Sequence, residues 1–162
     1  PDTARVYPGG CLLEGTNLSE GRGTTRPFEI FGAPFVDGSE LARGLDAPGA
    51  TLRALSFEPT FHKHARSSCG GLQVHVTDRA QFRGYALYQR IIAAAAERAP
   101  GAFRFRTETY EYVSDRPAID LLTGGPEFRM CVEQGASLDD VLAAEEAGAR
   151  GFAERREPWL LY

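Results

Sequence analysis

Lysine is almost absent from this sequence of 162 residues: Lys63 is the only one, and the other side chains counted as basic are arginines. The formal net charge is -4. Nucleic-acid affinity depends largely on clustered cations that displace counterions from phosphates. The negative net charge therefore argues against a nucleic-acid partner.

Cysteines are few, and long apolar runs are missing. Cys11, Cys69 and Cys131 form no close pair, which excludes a CxxC redox motif and a thiolate zinc cluster. No apolar run approaches the roughly 20 residues that span a bilayer, and no basic and apolar leader opens the chain. We expect no membrane span, no export signal within this chain and no cofactor.

What is present is an ordinary globular composition, with 43% hydrophobic and 25% charged residues. Period-two alternation and helical spacing both occur, without strict alternation of strands and helices. The sequence therefore predicts an α+β fold, a compact single domain with a small mixed sheet packed by several helices and a loop-rich N-terminal third. Strands are expected at 51–57 and 72–76, further extended pieces at 4–7, 11–13, 103–106 and 110–113, and helices at 39–45, 85–99, 117–122, 127–134 and from 138 to about 156.

The polar run at residues 14–25 has the clearest potential for chemistry. It combines carboxylates, an amide, a guanidinium and hydroxyls between glycines, outside any periodic element. Loops of this kind on a rigid scaffold are typical of binding sites. Glu14 and Glu20 are the candidate carboxylates for glycoside chemistry, in an auxiliary role. The candidate substrate-binding residues are Asn17, Ser19, Arg22, Gly23, Thr24 and Thr25.

Structural alternatives exist for the same residues. The spacing of Asn17 and Glu20 matches a capping box for one helical turn. Arg22 can equally form an internal ion pair with Glu14 or Glu20. The sequence leaves these alternatives open.

Other reactive side chains favour structural interpretations. His62, His64 and His75 lack the spacing of a metal site, so we expect no metal. Cys69 has only His75 as a weak candidate base. The aromatic residues near the end of the chain suit either sugar stacking or, more in keeping with the usual burial of aromatics, a tail that seals the core. These are Phe152, Trp159 and Tyr162.

Residues 13–29, LEGTNLSEGRGTTRPFE, together with FGAP at 31–34, resemble the exo-β-N-acetylmuramidase family of NamZ type. The resemblance continues through CGGLQVHVTD at 69–78 and ends with the tail at 156–162. It spans almost the entire chain.

The resemblance implies a two-domain glycosidase that removes terminal N-acetylmuramic acid from the non-reducing end of peptidoglycan fragments. Residues 1–162 resemble its smaller C-terminal domain, which completes the interdomain cleft. The Rossmann-like N-terminal domain, with the principal catalytic glutamate, has no counterpart in this chain, so isolated activity is not expected. The implied partners are muramyl sugars and that N-terminal domain, and the substrate class implies export to the periplasm or the cell exterior.

Within this resemblance, Arg22 is expected to hold the lactyl carboxylate of N-acetylmuramic acid. Asn17 and Glu20 would bind sugar hydroxyls or the acetamido group. Two alternatives remain at this point: a non-catalytic carbohydrate- or peptidoglycan-binding module, and a structural or dimerisation domain whose polar loop stabilises its own fold.

Overall fold

A computed structural model describes residues 2–161 of the chain. The described part forms one body of helices packed around a small sheet. In chain order its elements are α1 (Asp2–Gly10), a 3₁₀ helix (Cys11–Gly15), β1 (Ile30–Ala33), α2 (Gly38–Ala42), β2 (Ala50–Phe57), β3 (Cys69–Val76), α3 (Gly84–Arg98), α4 (Ala118–Thr123), α5 (Glu127–Gln134), α6 (Leu138–Arg156) and a second 3₁₀ helix (Glu157–Trp159).

The sheet has the order β1-β3-β2, and both strand pairs are antiparallel. This confirms the α+β prediction, although the sheet is antiparallel rather than mixed. Phe31 of β1 lies opposite Leu72 of β3. A Cβ atom on Gly71 would lie 1.9 Å from the Phe31 carbonyl oxygen, so only glycine allows the two strands to approach this closely.

Helix α3 forms the centre of the core. Tyr88, Ile91 and Ile92 are fully buried on one face of the helix, as their helical spacing predicts. The Tyr88 hydroxyl donates a hydrogen bond of 2.5 Å to the carbonyl oxygen of Phe28. This bond ties α3 to the segment that carries the polar run into β1.

The first segment of the chain is helical, which corrects the prediction of extended pieces at 4–7 and 11–13. Tertiary packing explains the difference. Val6 is buried, and a Cβ atom on Gly9 would lie 2.3 Å from the carbonyl oxygen of Gly84 in α3. Gly9 and Gly84 weaken helix formation locally. Because they have no side chains, they permit α1 and α3 to pack closely.

Two other segments that were predicted to be extended form only isolated backbone bridges. Residues 103–106 and 110–113 form no strands, but Phe105 pairs with Thr16 and Tyr110 with Val113 in isolated bridges. The predicted second sheet segment is wrong.

The end of the chain also differs from expectation. Helix α6 is present, but Phe152 and Trp159 are exposed, which contradicts a tail that seals the core of this domain. Tyr162 lies outside the described residues. Among residues 2–161, no helix combines the length and apolar character needed to cross a membrane.

Candidate functional site

Backbone pairing fixes the polar run at 14–25 in place. Ser19 and Gly32 of β1 exchange both backbone hydrogen bonds, at 2.7 and 3.0 Å. On the other side, the Asn17 amide donates to the carbonyl oxygen of Arg104 at 2.9 Å. The side chains of the run therefore project from a loop that is held by the sheet and by the segment after α3.

Arg22 joins the two candidate carboxylates. Its Nη2 lies 2.6 Å from Glu14 Oε1, and its Nε lies 2.7 Å from Glu20 Oε1. The guanidinium carbon also lies 5.2 Å from the centre of the Phe28 ring, within cation–π range. Residues 17–20 form no helical turn, so the structure realises the ion-pair alternative and not the capping box.

The guanidinium is not fully used by these contacts. Within residues 2–161, Nη1 of Arg22 donates no hydrogen bond, and the side chain is 35% exposed. Arg22 therefore keeps Nη1 for a ligand.

Lys63 supplies a second cation that the sequence did not suggest. Its Nζ donates to the carbonyl oxygens of Leu13 at 2.9 Å and Leu18 at 3.2 Å, and lies 3.1 Å from Glu20 Oε2. Three oxygens thus surround an ammonium group that has three donors. The contact with Glu20 has poor hydrogen-bond direction and is best described as an ion pair.

Tyr110 and His62 complete the arrangement. The Tyr110 hydroxyl donates to Glu14 Oε2 at 2.9 Å, and His62 Nδ1 lies 3.3 Å from Glu20 Oε1. We call the six side chains the charge network: Glu14, Glu20, Arg22, His62, Lys63 and Tyr110.

Burial and charge set the protonation of the network. Burial alone raises the pKa of Glu20, but the Lys63 charge and the hydrogen bond from Arg22 hold that pKa below its usual value. Burial lowers the pKa of Lys63, and Glu20 partly offsets this. Burial and the hydrogen bond to Glu14 raise the pKa of Tyr110. Glu20 is thus a carboxylate at neutral pH, whereas a general acid needs a raised pKa.

An open cavity of about 510 Å³ borders the charge network at His62 and Lys63. Arg106 contributes a further cation to its wall and lies 3.6 Å from the exposed carboxylate of Glu108. The residues that line the cavity therefore include three cations, Lys63, Arg104 and Arg106, and one carboxylate, Glu108. Its lining residues are Thr16, Asn17, His62, Lys63, Arg104, Phe105, Arg106, Thr107 and Glu108.

The segment that carries His62 and Lys63 is strained. His62, His64 and Arg66 have φ angles of 70°, 56° and 61°, in the left-handed region that L residues rarely adopt. A 2.7 Å hydrogen bond between His64 Nε2 and the carbonyl oxygen of Asn17 helps to hold this conformation. Such clusters of strained residues are commonly found at functional sites.

Two exposed aromatic rings lie within two residues of members of the charge network. Phe61 immediately precedes His62, and Tyr112 lies in the turn that the backbone pair Tyr110 and Val113 closes. Tyr112 is 100% exposed and has a φ angle of 67°. Exposed rings beside polar loops can stack on sugar faces.

Asn17 has a structural role in addition to its predicted one. Its Nδ2 donates to the carbonyl oxygen of Ala102, and its Oδ1 accepts from the backbone amide of Arg104, each at 2.9 Å. Substrate binding by this side chain stays a prediction.

The other predicted binding residues are placed as follows. Ser19 Oγ accepts from the amide of Gly21 at 3.2 Å, and Thr24 Oγ1 donates to the carbonyl oxygen of Gly21 at 2.7 Å. Thr25 is exposed, and Gly23 packs against residue Thr60 with no space for a side chain. Their contact with substrate also stays a prediction.

The histidines and cysteines do not form a reactive cluster. Among residues 2–161, no group of three His, Cys, Asp or Glu side chains is placed to hold a metal ion. Burial and then the Glu58 charge raise the pKa of the Cys69 thiol, which disfavours the reactive thiolate.

Sequence comparison identifies the family. The family described as "Exo-beta-N-acetylmuramidase NamZ, C-terminal" matches residues 5–162. The peptidoglycan beta-N-acetylmuramidase NamZ of Bacillus subtilis (strain 168) is 39% identical over 160 residues, which cover 97% of this chain and 37% of that protein. This chain thus spans less than half the length of that relative.

Structural comparison finds the same fold in two DUF1343 family proteins from Bacteroides fragilis NCTC 9343. The first is 23% identical with a TM-score of 0.80, over 98% of this chain and 42% of that structure. The second is 25% identical with a TM-score of 0.58, over 99% of this chain and 40% of that structure. With the match over residues 5–162, the chain belongs to the family of C-terminal domains of NamZ-type exo-β-N-acetylmuramidases.

Proposed function

We propose that this domain forms the substrate-binding wall of the cleft in an exo-β-N-acetylmuramidase that removes N-acetylmuramic acid from peptidoglycan fragments. The observation that carries the proposal is the charge network, whose two carboxylates are neutralised internally beside a cation-lined cavity. The relative from Bacillus subtilis is a peptidoglycan beta-N-acetylmuramidase, which supports the same substrate class.

The charge of the site fits an acidic sugar. Arg22 and Lys63 offset Glu14 and Glu20, and Glu108 lies beside Arg106, so that Arg104 and His62 remain as additional nitrogen groups at the cavity. N-acetylmuramic acid differs from N-acetylglucosamine by a lactyl ether that carries a carboxylate. In this proposal Arg22 donates to that carboxylate through Nη1, as predicted from the sequence, and Arg106 adds favourable charge.

The two glutamates have auxiliary roles in this mechanism. Glu20 is 1% exposed and ionised, so it orients Arg22 and Lys63 and does not deliver a proton. Glu14, at 16% exposure, is the carboxylate that a sugar can reach. The principal acid and base come from the N-terminal domain, and the complete protein works outside the cytoplasm, where its substrate lies.

The test uses the full-length protein with Arg106→Gln and Arg22→Lys, each compared with Arg53→Gln, which removes a guanidinium from strand β2. Loss of a charge-assisted hydrogen bond costs roughly 1.5–3 kcal/mol, so Arg22→Lys should lower kcat/KM for a chromogenic muramoside by about 10–100-fold. Arg106→Gln removes only favourable charge from the surroundings of the sugar and should lower kcat/KM by a smaller factor. Inhibition by free N-acetylmuramic acid should weaken far more than inhibition by N-acetylglucosamine. Equal weakening for both sugars would contradict carboxylate recognition.

A second candidate is a non-catalytic binding module, because the charge network and the cavity are built within this chain. Calorimetry separates the two functions. A self-sufficient module would bind muramyl sugars as the isolated chain with the affinity of the full-length protein, whereas a cleft wall would bind them much more weakly alone.

A further inference from the structure

Tyr110 reaches the charge network from a segment that is remote in the sequence. Its hydroxyl donates to Glu14 Oε2 at 2.9 Å, while Arg22 Nη2 lies 2.6 Å from the other oxygen, Oε1. Burial and then the hydrogen bond to Glu14 raise the pKa of Tyr110, so the phenol keeps its proton at neutral pH. Each oxygen of the Glu14 carboxylate therefore has a donor of its own.

The segment that leads to Tyr110 is fixed against the polar run. The backbone amide of Arg106 donates to the carbonyl oxygen of Gly15 at 2.8 Å, directly beside Glu14. The guanidinium carbon of Arg106 lies 5.5 Å from the centre of the Tyr110 ring, and its Nη2 donates to the carbonyl oxygen of Thr109 at 3.1 Å. Both contacts hold the phenol ring next to Glu14.

The turn that follows Tyr110 restricts its backbone. Tyr110 and Val113 exchange both backbone hydrogen bonds, at 3.0 and 2.8 Å. Glu111 and Tyr112, the two residues between them, have φ angles of 46° and 67°. Two-residue turns with left-handed central residues ordinarily contain Asn and Gly, so larger side chains are costly here. Strain of this kind persists only where the surrounding structure holds it, and it is common at functional sites.

The second donor matters because the terminal torsion of a glutamate side chain is soft. A contact between Arg22 and Oε1 alone leaves the Glu14 carboxylate free to rotate, and the hydrogen bond from Tyr110 to Oε2 removes that freedom. A carboxylate has about four acceptor positions. The Glu14 side chain is 16% exposed, so the remaining positions are accessible to a ligand.

We propose that Tyr110 is a positioning residue, which fixes the Glu14 carboxylate so that it accepts a hydrogen bond from a neutral group of the sugar, a hydroxyl or the acetamido N–H. The inference rests on the proposed substrate-binding wall. A carboxylate only accepts hydrogen bonds, and it repels a second carboxylate. Glu14 therefore recognises the part of N-acetylmuramic acid that N-acetylglucosamine shares, whereas Arg22 recognises the lactyl group.

The test measures inhibition of the full-length protein by free N-acetylmuramic acid and by free N-acetylglucosamine. Tyr110→Phe removes only the hydroxyl and keeps the ring. It should raise both inhibition constants by a similar factor of about three to ten, less than the direct loss of a charge-assisted hydrogen bond. Tyr85→Phe is the matched control and should change neither constant. Tyr85 is also partly buried, but it lies on α3 and does not line the cavity beside the charge network.

The same substitution in a Glu14→Ala background shows whether Tyr110 acts through Glu14. Without the carboxylate, loss of the hydroxyl should change the inhibition constants by less than about twofold, because coupled residues are not additive. An independent effect of Tyr110 would give the same factor in both backgrounds. The comparison of the two sugars with Tyr110→Phe alone does not depend on the Glu14→Ala variant.

Three results would overturn the proposal. These are unchanged constants in Tyr110→Phe, a loss mainly for N-acetylmuramic acid, which would assign the effect to Arg22, and equal factors in the two backgrounds. Arg22→Lys tests the proposed function separately, since it should weaken N-acetylmuramic acid far more than N-acetylglucosamine. If Arg22→Lys behaves in this way while Tyr110→Phe changes neither constant, only the positioning role fails.

Discussion

Lys63 and Glu20 form an ion pair in the interior of the candidate site, with 3.1 Å between Nζ and Oε2. The two side chains are only 17% and 1% exposed. The same ammonium group binds the carbonyl oxygens of Leu13 and Leu18, so one side chain fixes both the charge and the backbone of the polar run. Because Glu20 also pairs with Arg22, the Lys63–Glu20 ion pair links the stability of the loop at 14–25 to the position of the Arg22 guanidinium.

Lys63→Met should destabilise the protein strongly. The substitution leaves Glu20 with Arg22 but without its Lys63 partner, and it removes the donor of two backbone carbonyl groups. Breaking a buried pair typically costs up to about 3–5 kcal/mol. Urea unfolding of the isolated chain measures the effect. Arg43→Met is the matched control, because Arg43 and Glu40 form an exposed pair whose loss should cost less than about 1 kcal/mol.

The double variant Lys63→Met with Glu20→Leu should recover part of this loss. An apolar pair removes the buried charge that has lost Lys63, although Arg22 Nε then loses its contact with Glu20 and the carbonyl groups of Leu13 and Leu18 still lack their donor. A double variant that is less stable than Lys63→Met alone would contradict the assignment of Glu20 as the main partner of Lys63.

The depressed pKa of Glu20 predicts a loss of stability in acid. The folded-state pKa lies below the usual value of 4.5, so the folded state favours the carboxylate. This contribution is complete above about pH 4.5 and is lost as the pH falls through the folded-state pKa. Glu20→Gln should therefore be less stable than the wild type at pH 7, and the difference should narrow below pH 4.5. Unfolding at a series of pH values gives this difference, and a constant difference would contradict the prediction.

Gly71→Ala should disrupt the sheet, because the new Cβ atom would lie 1.9 Å from the backbone oxygen of Phe31. We expect a loss of more than about 2 kcal/mol in thermal unfolding. Gly148→Ala is the matched control in α6, where a Cβ atom meets nothing within 4 Å. Helix propensity should make that variant more stable by roughly 0.5–1 kcal/mol.

The sequence predicted elements whose signals are local. Strand β3 and helix α3 have clear periodicity, and both lie close to their expected positions. Helix α1 was missed because its stability comes from packing of Gly9 against Gly84, seventy-five residues further along the chain. Strand β1 was missed because four residues that include a glycine give no usable alternation.

The candidate site also contains some residues that the sequence indicated and others that it did not. Glu14, Glu20 and Arg22 lie within nine residues, and a local polar run indicated all three. Lys63 and Tyr110 come from separate loops, and Tyr110 is 96 positions from Glu14. One lysine between two histidines and one tyrosine in a polar segment carry no local signal of these contacts, which only the fold creates.

Replacement of Tyr112 by glycine should raise the stability of the protein and lower its activity. Its left-handed φ angle of 67° is costly for a bulky side chain such as that of tyrosine, and its ring is fully exposed. Tyr112→Gly should therefore raise the free energy of unfolding by about 1 kcal/mol. If the ring stacks on the sugar, the same variant should lower kcat/KM of the full-length protein for a muramoside. Glu111→Gly is the matched control, because Glu111 has a φ angle of 46° and no ring. Glu111→Gly should raise the free energy of unfolding by a similar amount and leave kcat/KM at the wild-type value. Equal kcat/KM values for Glu111→Gly and Tyr112→Gly would contradict a stacking role for Tyr112.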